Sequence, residues 1–406
     1  MKGGLFQLRQ RYSRSAKPSR STPLIRIFGC AEDTSSRQMQ AYACFCARLF
    51  VSLTASKILP LGKNQASLFL LSLIRIFVCM NAAIPTFVEL GRRLASFGRR
   101  AADEAVIRAA VEANPWFTPD AIRAAVEAIR LEMLQRERLE AWTAPYRIPV
   151  AAPKRVLVVM AGNVPLVGFF DLLCVLASGH RCLVKPSSKD RVLTEYLLDE
   201  LHAIDPALPV EPYDGTSRPD AVIATGSDNT NRYFRAAYGD LPALLRGSRQ
   251  SVAVLAGDET AAELAGLAED IWLHNGLGCR NVSMLLLPEG APFPALRPPQ
   301  LHPKYRNNAR QTKALVEMTG GSCLDLGGAL VVEQADFSTA LSLIACRRYR
   351  TPEEAAAWLA AHDREIQCVV TRCLEHPRRV DFGRAQHPRL TDYPDAVDTI
   401  AFLEKL

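Results

Sequence analysis

The hydrophobic positions change rhythm along the chain. Between 85 and 140 they recur every three to four residues: Leu90, Leu94, Phe97 and Ala101, then Ile122, Val126, Ile129 and Met133, with Arg and Glu between them. That period predicts amphipathic helices over 85–112 and 119–140. Thr118 ahead of Pro119 reads as an N-cap followed by proline at the first helical position. The segment forms a helical arm leading to Pro145–Pro153.

From 156 onward, short apolar runs alternate with helical stretches. Val156–Met160, Arg181–Lys185, Ala221–Thr225 and Ser251–Leu255 read as strands, with helices at 166–178, 190–203 and near 229–238. A helix at 259–273, the strand Val282–Leu287, a proline-rich loop at 288–303 and a helix near 305–318 come next. The strand Ala329–Glu333, a helix at 352–361 and the strand Ile366–Thr371 complete the series. Strands alternating with helices predict an α/β protein built on parallel sheets. Continuous apolar strands fit sheets covered on both faces. The pattern divides the body into two α/β domains, 80–250 with the arm and 251–380, followed by a polar tail at 381–406 with an apolar end at Phe402.

Charge separates the first eighty residues from the rest. The chain has 406 residues and a formal net charge of +7, but residues 1–80 hold 12 Lys/Arg against Glu32 and Asp33 alone. The remainder is slightly acidic, so no basic footprint for nucleic acid follows. The pentapeptide Leu-Ile-Arg-Ile-Phe occurs at 24–28 and 73–77, and the apolar run 66–79 is too short for a bilayer span. A basic, Ser-rich start is compatible with a transit peptide. The favoured reading is an unstructured or mis-started extension over 1–79, with translation beginning at Met80. The eleven cysteines form no C-x-x-C pair and no Cys/His cluster of zinc spacing. Scattered cysteines in a long chain fit reduced thiols and a cytoplasmic location.

Four places carry candidate chemistry. Cys279 lies in Asn275-Gly276-Leu277-Gly278-Cys279-Arg280-Asn281, where glycines let a ligand approach, backbone N–H groups could stabilise an oxyanion, and Arg280 favours thiolate. A buried turn cysteine is the plainer reading. Asn163 follows the strand Val156–Met160 at a position where parallel sheets bind ligands; it reads either as an oxyanion donor or as a turn residue. Lys185, with Pro186 and Ser187, ends the next strand and reads as a ribose or phosphate contact or as a solvated cation. Thr225-Gly226-Ser227 ends a third strand and opens a helix, which suits a phosphate. His274 reads as a helix-end residue within reach of Cys279. No G-x-G-x-x-G and no G-x-x-x-x-G-K-[ST] occurs, so a dinucleotide would be held another way.

In order and spacing these segments resemble the aldehyde dehydrogenase superfamily. Within it they resemble the acyl-CoA reductase family typified by the fatty acid reductase of bioluminescent bacteria. The carrying segments are 162–166 (GNVPL), 183–190 (LVKPSSKD), 221–230 (AVIATGSDNT), 251–255 with Gly257, 276–283 (GLGCRNVS) and 386–393 (QHPRLTDY). The resemblance covers about 81–406.

It implies an aldehyde dehydrogenase-like fold, with an NAD(P)-binding domain in 80–250, a catalytic domain in 251–380 and a tail that serves oligomerisation. Cys279 would be the nucleophile, and Asn163 would share the oxyanion hole with the Cys279 N–H. Lys185 and Ser187 would face the adenosine end of NADPH or NADH, and Thr225, Gly226 and Ser227 would lie near its pyrophosphate. Acyl-CoA would be the substrate, with CoA as leaving group and a long-chain fatty acyl group favoured. A partner enzyme that hands over the acyl group is left open. A homo-oligomer is expected, with no membrane, nucleic acid or metal.

One departure bears on the reaction. The superfamily's Glu-Leu-Gly-Gly, whose Glu activates water, is replaced here by Leu245-Arg246-Gly247-Ser248-Arg249-Gln250. Loss of that base favours CoA exchange over hydrolysis. The hydrolytic alternative would need another carboxylate, such as Glu269 or Asp270. The late Glu-x-Phe-Gly-Pro contact to the nicotinamide ribose is also missing. A non-catalytic subunit that binds acyl groups or partners is the third reading.

Overall fold

The computed structural model describes residues 83–226, 228–338 and 340–406. The reading of 1–79 as an extension lies outside the described residues.

Helices Ala83–Leu94, Ala101–Ala113, Pro119–Glu132 and Arg136–Thr143 form the arm. Thr118 caps the third as its sequence predicts, accepting from the Ala121 N–H at 3.1 Å. The continuous helix expected over 85–112 is two helices. Gly98 takes a left-handed φ of 80°, and buried Asp103 collects the N–H groups of Gly98 and Arg100. A capping carboxylate at that point offers the backbone a better partner than another helical turn would.

Five strands form the first sheet: β1 (Arg155–Val159), β2 (Arg181–Lys185), β3 (Val210–Pro212), β4 (Ala221–Thr225) and β5 (Ala243–Arg246). All pairings are parallel, in the order β3-β2-β1-β4-β5. Alternate residues point to opposite faces. Val156 and Val158 join Phe87, Leu90, Ile122, Leu173 and Leu197 in one core, so the arm covers one face of this sheet. Leu157, Val159, Val222 and Ala224 pack on the other face against Phe234.

The second sheet contains β6 (Gln250–Val254), β7 (Val282–Pro288), β8 (Leu324–Asp325), β9 (Leu330–Glu333), β10 (Leu343–Tyr349), β11 (Ile366–Val370) and β12 (Arg379–Val380). Their order is β12-β11-β6-β7-β10-β9-β8, antiparallel only at β8–β9. The apolar pattern does not predict strand β10, because Arg347 and Arg348 break its run. Its first four residues are buried, while Arg348 turns back to donate to the Ala291 carbonyl at 2.5 Å.

The tail is less polar in its packing than in its composition. Ile400 and Leu403, rather than Phe402, are its fully buried large apolar residues, and both join the core of the first sheet. Tyr393 accepts from Trp142 Nε1 at 2.8 Å, and Tyr146 donates to Asp398 at 2.7 Å. Arg246 at the end of β5 reaches both Asp171 oxygens at 2.5 and 2.6 Å and donates to Thr399 Oγ1 at 2.8 Å. Breaking such a buried pair costs roughly 3–5 kcal/mol. The neutral ring of His180 accepts the Lys154 N–H on Nδ1 and donates to the Leu403 carbonyl from Nε2.

Strand order in the first sheet reverses at β1, whose neighbours are β2 and β4. In open parallel sheets the crevice beyond the strand C-termini at such a point is where ligands bind. Here the turn that leaves β1 meets the loop that precedes β7, through a hydrogen bond from Asn163 to Leu277.

Candidate active site

Two turns make that junction. Asn163 is exposed, and its Nδ2 donates to the Leu277 carbonyl at 2.6 Å, two residues before Cys279. Val164 Cγ2 lies 3.2 Å from where a Cβ on Gly278 would stand, so a side chain there would crowd the approach. The first turn is held from behind. Asn114 Nδ2 donates to the Gly162 carbonyl at 3.2 Å, and Asp190 Oδ2 accepts the N–H of Leu166, which is left-handed at φ 57°. Asp190 is buried with its other oxygen unpartnered among the described residues, and burial pushes its pKa up to about 8. It therefore keeps its proton at neutral pH.

The Cys279 loop is held by Asn281, which is buried. Its Oδ1 accepts the Gly278 N–H at 2.8 Å, and its Nδ2 donates to the carbonyls of Asp270, Ile271 and Leu273. One amide thus closes the end of the helix Ala261–Trp272 and fixes the backbone beside the thiol. Ser251, at the start of β6, donates to the Cys279 carbonyl at 3.0 Å and lies 3.1 Å from Cys368 Sγ.

Cys279 is half-buried as a residue, but burial around its sulfur pushes the thiol above its ordinary pKa. Arg280 pulls the other way, as its position in sequence suggests, while Cys368 and Asp395 add to the rise. Arg280 stabilises thiolate without overcoming burial, so the resting sulfur is a thiol. Arg280 also donates to the carbonyls of Ala385 and Asp392, both at 3.3 Å, which brings the tail over the loop.

His274 ends the preceding helix in a left-handed turn at φ 61°. Its ring is buried, Nδ1 has no hydrogen-bond partner among the described residues, and burial brings its pKa down to about 4. It is neutral at pH 7 and brings no positive charge to Cys279. Asp270 is buried with its oxygens taken by the N–H groups of Gly383 and Ala385, at 2.7 and 2.9 Å. Glu269 is exposed beside His387.

The remaining candidates line the C-terminal edge of the first sheet. Lys185 is exposed at the end of β2, and Ser187 packs against Gly162, where a Cβ would stand 2.4 Å from its Oγ. Thr225 ends β4, and the Gly226 N–H donates to the Arg246 carbonyl at 3.2 Å. Ser227 lies outside the described residues. Lys185, Thr225 and Gly226 thus share an edge with Asn163, and Asn163 joins that edge to Cys279. Two surface clefts, one beside Leu94 and Arg123 and one beside Lys154 and Leu406, lie elsewhere. The site is defined by the side chains gathered at the junction, not by cavity size.

Sequence reasoning missed Asn281, Ser251 and Asp190. Asn281 stands inside the motif around Cys279, two residues on. The others lie far from it in sequence, and only folding brings them near.

Residues 100–292 match the family model described as acyl-CoA reductase (LuxC). The match covers just under half of the chain. The matched stretch runs from the second arm helix through β7, so it contains Asn163, Lys185, Thr225 and Cys279 and ends well before Asp395. The match supports an oxidoreductase acting on aldehyde or acyl groups. A search of curated proteins finds no match.

Among solved structures, aldehyde dehydrogenase 21 from Physcomitrella patens, in complex with succinate, is 13% identical. The match covers 80% of this chain and 83% of that one, with a TM-score of 0.56. A Mycobacterium tuberculosis aldehyde dehydrogenase complexed with NAD+ is 16% identical over 73% of each chain, TM-score 0.52. An apo betaine aldehyde dehydrogenase from Staphylococcus aureus, carrying a glycine-to-serine substitution, is 14% identical over 72% of this chain and 75% of that one, TM-score 0.51. At these identities the likeness shows an aldehyde dehydrogenase fold. Among the described residues no helix is long and apolar enough to cross a membrane.

Proposed function

We propose that the protein reduces an acyl-CoA thioester to an aldehyde through an acyl group carried on Cys279. The observation that carries this reading is the hydrogen bond from Asn163 to Leu277, which holds an amide donor beside the cysteine loop. An amide nitrogen has two protons. One is committed to Leu277, and the second is free to meet an oxyanion that forms on a carbonyl attached to sulfur.

In the first half-reaction the Cys279 sulfur bonds to the thioester carbon, and the bond from that carbon to the CoA sulfur breaks. Splitting the reduction at this point turns one hard step into two easier ones. A nicotinamide cofactor, when bound, supplies the hydride. The strand-end residues fit such a group. Lys185 places a cation at the edge, Gly226 leaves the backbone bare where the helix Asp228–Tyr238 begins, and that N-terminus suits a phosphate. NADPH is the favoured cofactor, with NADH to be compared directly.

The carboxylate-free stretch at 245–250 supports transfer over hydrolysis, since Asp270 is fully engaged. The test is incubation with acyl-CoAs of increasing chain length and each reduced nicotinamide, following absorbance loss and aldehyde. Wild type is expected to consume cofactor and release CoA together, and Cys279→Ala to do neither. Free acid formed in the absence of cofactor would contradict the reading and indicate hydrolysis.

A further inference from the structure

A short segment of the arm ties the two turns of the junction together. Pro115 follows the helix Ala101–Ala113 and keeps Asn114 extended, at φ −132° and ψ 97°. The chain then turns on the Asn114 side chain, whose Oδ1 accepts the Trp116 N–H at 3.1 Å. Asn114 is 4% exposed, and its Nδ2 donates at 3.2 Å to the carbonyl of Gly162, the residue before Asn163. Two residues further on, the Trp116 carbonyl accepts from Asn275 Nδ2 at 3.0 Å, four residues before Cys279. One turn of the arm thus holds both the backbone beside Asn163 and a side chain of the Cys279 loop.

The segment is anchored in both domains. Phe117 is buried in the core of the first sheet, while its neighbour Trp116 packs against a core of the second. The Trp116 ring lies 5.4 Å from the His302 ring and 5.7 Å from Lys304 Nζ. Adjacent residues with side chains in different cores leave the segment little freedom to shift. The direct link between the turns, from Asn163 to Leu277, is exposed, so water competes for it and its net worth is small. The link from Asn114 to Gly162 is buried, which makes the clasp through Trp116 the firmer connection.

We propose that Asn114 and Asn275 are positioning residues that, through Trp116, set the distance between the Asn163 amide and the Cys279 sulfur. This rests on the reading of Cys279 as the acyl carrier and of Asn163 as its oxyanion donor. Neither positioning residue acts on the substrate itself. Together they keep the free Asn163 N–H aimed at the oxygen of a carbonyl bonded to Cys279. Such alignment is steep, since a misplacement of about 1 Å costs on the order of a hundredfold in rate.

Two variants of the full chain cut the clasp at opposite ends. Asn275 sits at φ 55°, so Asn275→Gly keeps the left-handed turn and removes the amide. Asn114→Ser keeps a hydroxyl for the turn but not the reach to Gly162. Each is made separately, so that if one fails to fold the other still decides. Two rates are read on the Cys279 peptide by mass spectrometry: acylation by labelled acyl-CoA, and alkylation by iodoacetamide, which forms no oxyanion. Each variant is expected to lower acylation by about 10- to 100-fold, with alkylation close to the wild-type rate. In an Asn163→Ala background the same substitutions are expected to cost no further acylation, because the donor they aim is gone. Acylation close to wild type in either folded variant, acylation and alkylation falling together, or a further loss in the Asn163→Ala background would overturn the proposal. Wild type that takes no acyl label, or Asn163→Ala that acylates at the wild-type rate, would instead remove the reading on which the proposal rests.

Discussion

The two sides of the junction are built differently. On the side of the second sheet, the Cys279 loop is fixed by buried amides and hydroxyls: Asn281 bonds four backbone groups, and Ser251 a fifth. On the side of the first sheet, Asn163 and Lys185 are exposed at strand ends, and only the backbone beneath Asn163 is anchored, by Asn114 and Asp190. The proposed nucleophile is positioned by interactions that water cannot replace, while the groups expected to meet a cofactor are solvated. Stability and chemistry should therefore be coupled on one side and separable on the other.

The sharpest way to break this contrast is Asn281→Ala. It strands buried backbone groups, so stability should fall by about 3 kcal/mol in denaturant titration. Acylation of Cys279 should fall at least ~100-fold, because small displacements of a reacting group cost that much. Asn163→Ala should dissociate the two effects. Turnover should drop by about 100- to 1,000-fold, as for loss of an oxyanion donor, with stability within ~0.5 kcal/mol of wild type. A smaller effect is expected from Gly162→Ala, whose methyl must displace Ser187. The cofactor KM should rise roughly tenfold with kcat almost unchanged, the signature of lost uniform binding.

A pH-dependent effect concerns Asp190. Folding raises its pKa from 3.8 to about 8, so its contribution to stability is complete below pH 3.8 and lost as pH rises toward 8. Asp190→Asn removes that titration. Its melting temperature should match wild type near pH 4 and exceed it by ~2 °C or more at pH 8. A constant difference across that range would show that Asp190 is charged in the folded protein.

The same contrast explains what was legible in the sequence. Apolar runs such as Val156–Met160 and Ala221–Thr225 declare buried parallel strands, and turn residues at their ends mark the ligand edge. Cys279 and Asn163 stand out because each sits in a short motif whose local geometry does most of the positioning. Strand β10 was hidden because Arg347 and Arg348 at its far end break the apolar signal. The kink at Gly98 was hidden because its cause, the capping carboxylate of Asp103, looks like any acid on a helix. The docking of the tail was invisible for a deeper reason. Arg246, Thr399, His180 and Leu403 fold it back onto the first sheet, and contacts so distant in sequence leave no periodic trace.

The central claim is that an acyl group resides on the Cys279 sulfur. Wild-type protein should be mixed with isotopically labelled acyl-CoA in the absence of nicotinamide, quenched in acid, digested and analysed by mass spectrometry. The account predicts the acyl mass on the Cys279 peptide, with CoA released in equal amount. Label found only on another cysteine, such as exposed Cys373, or on none, would contradict it.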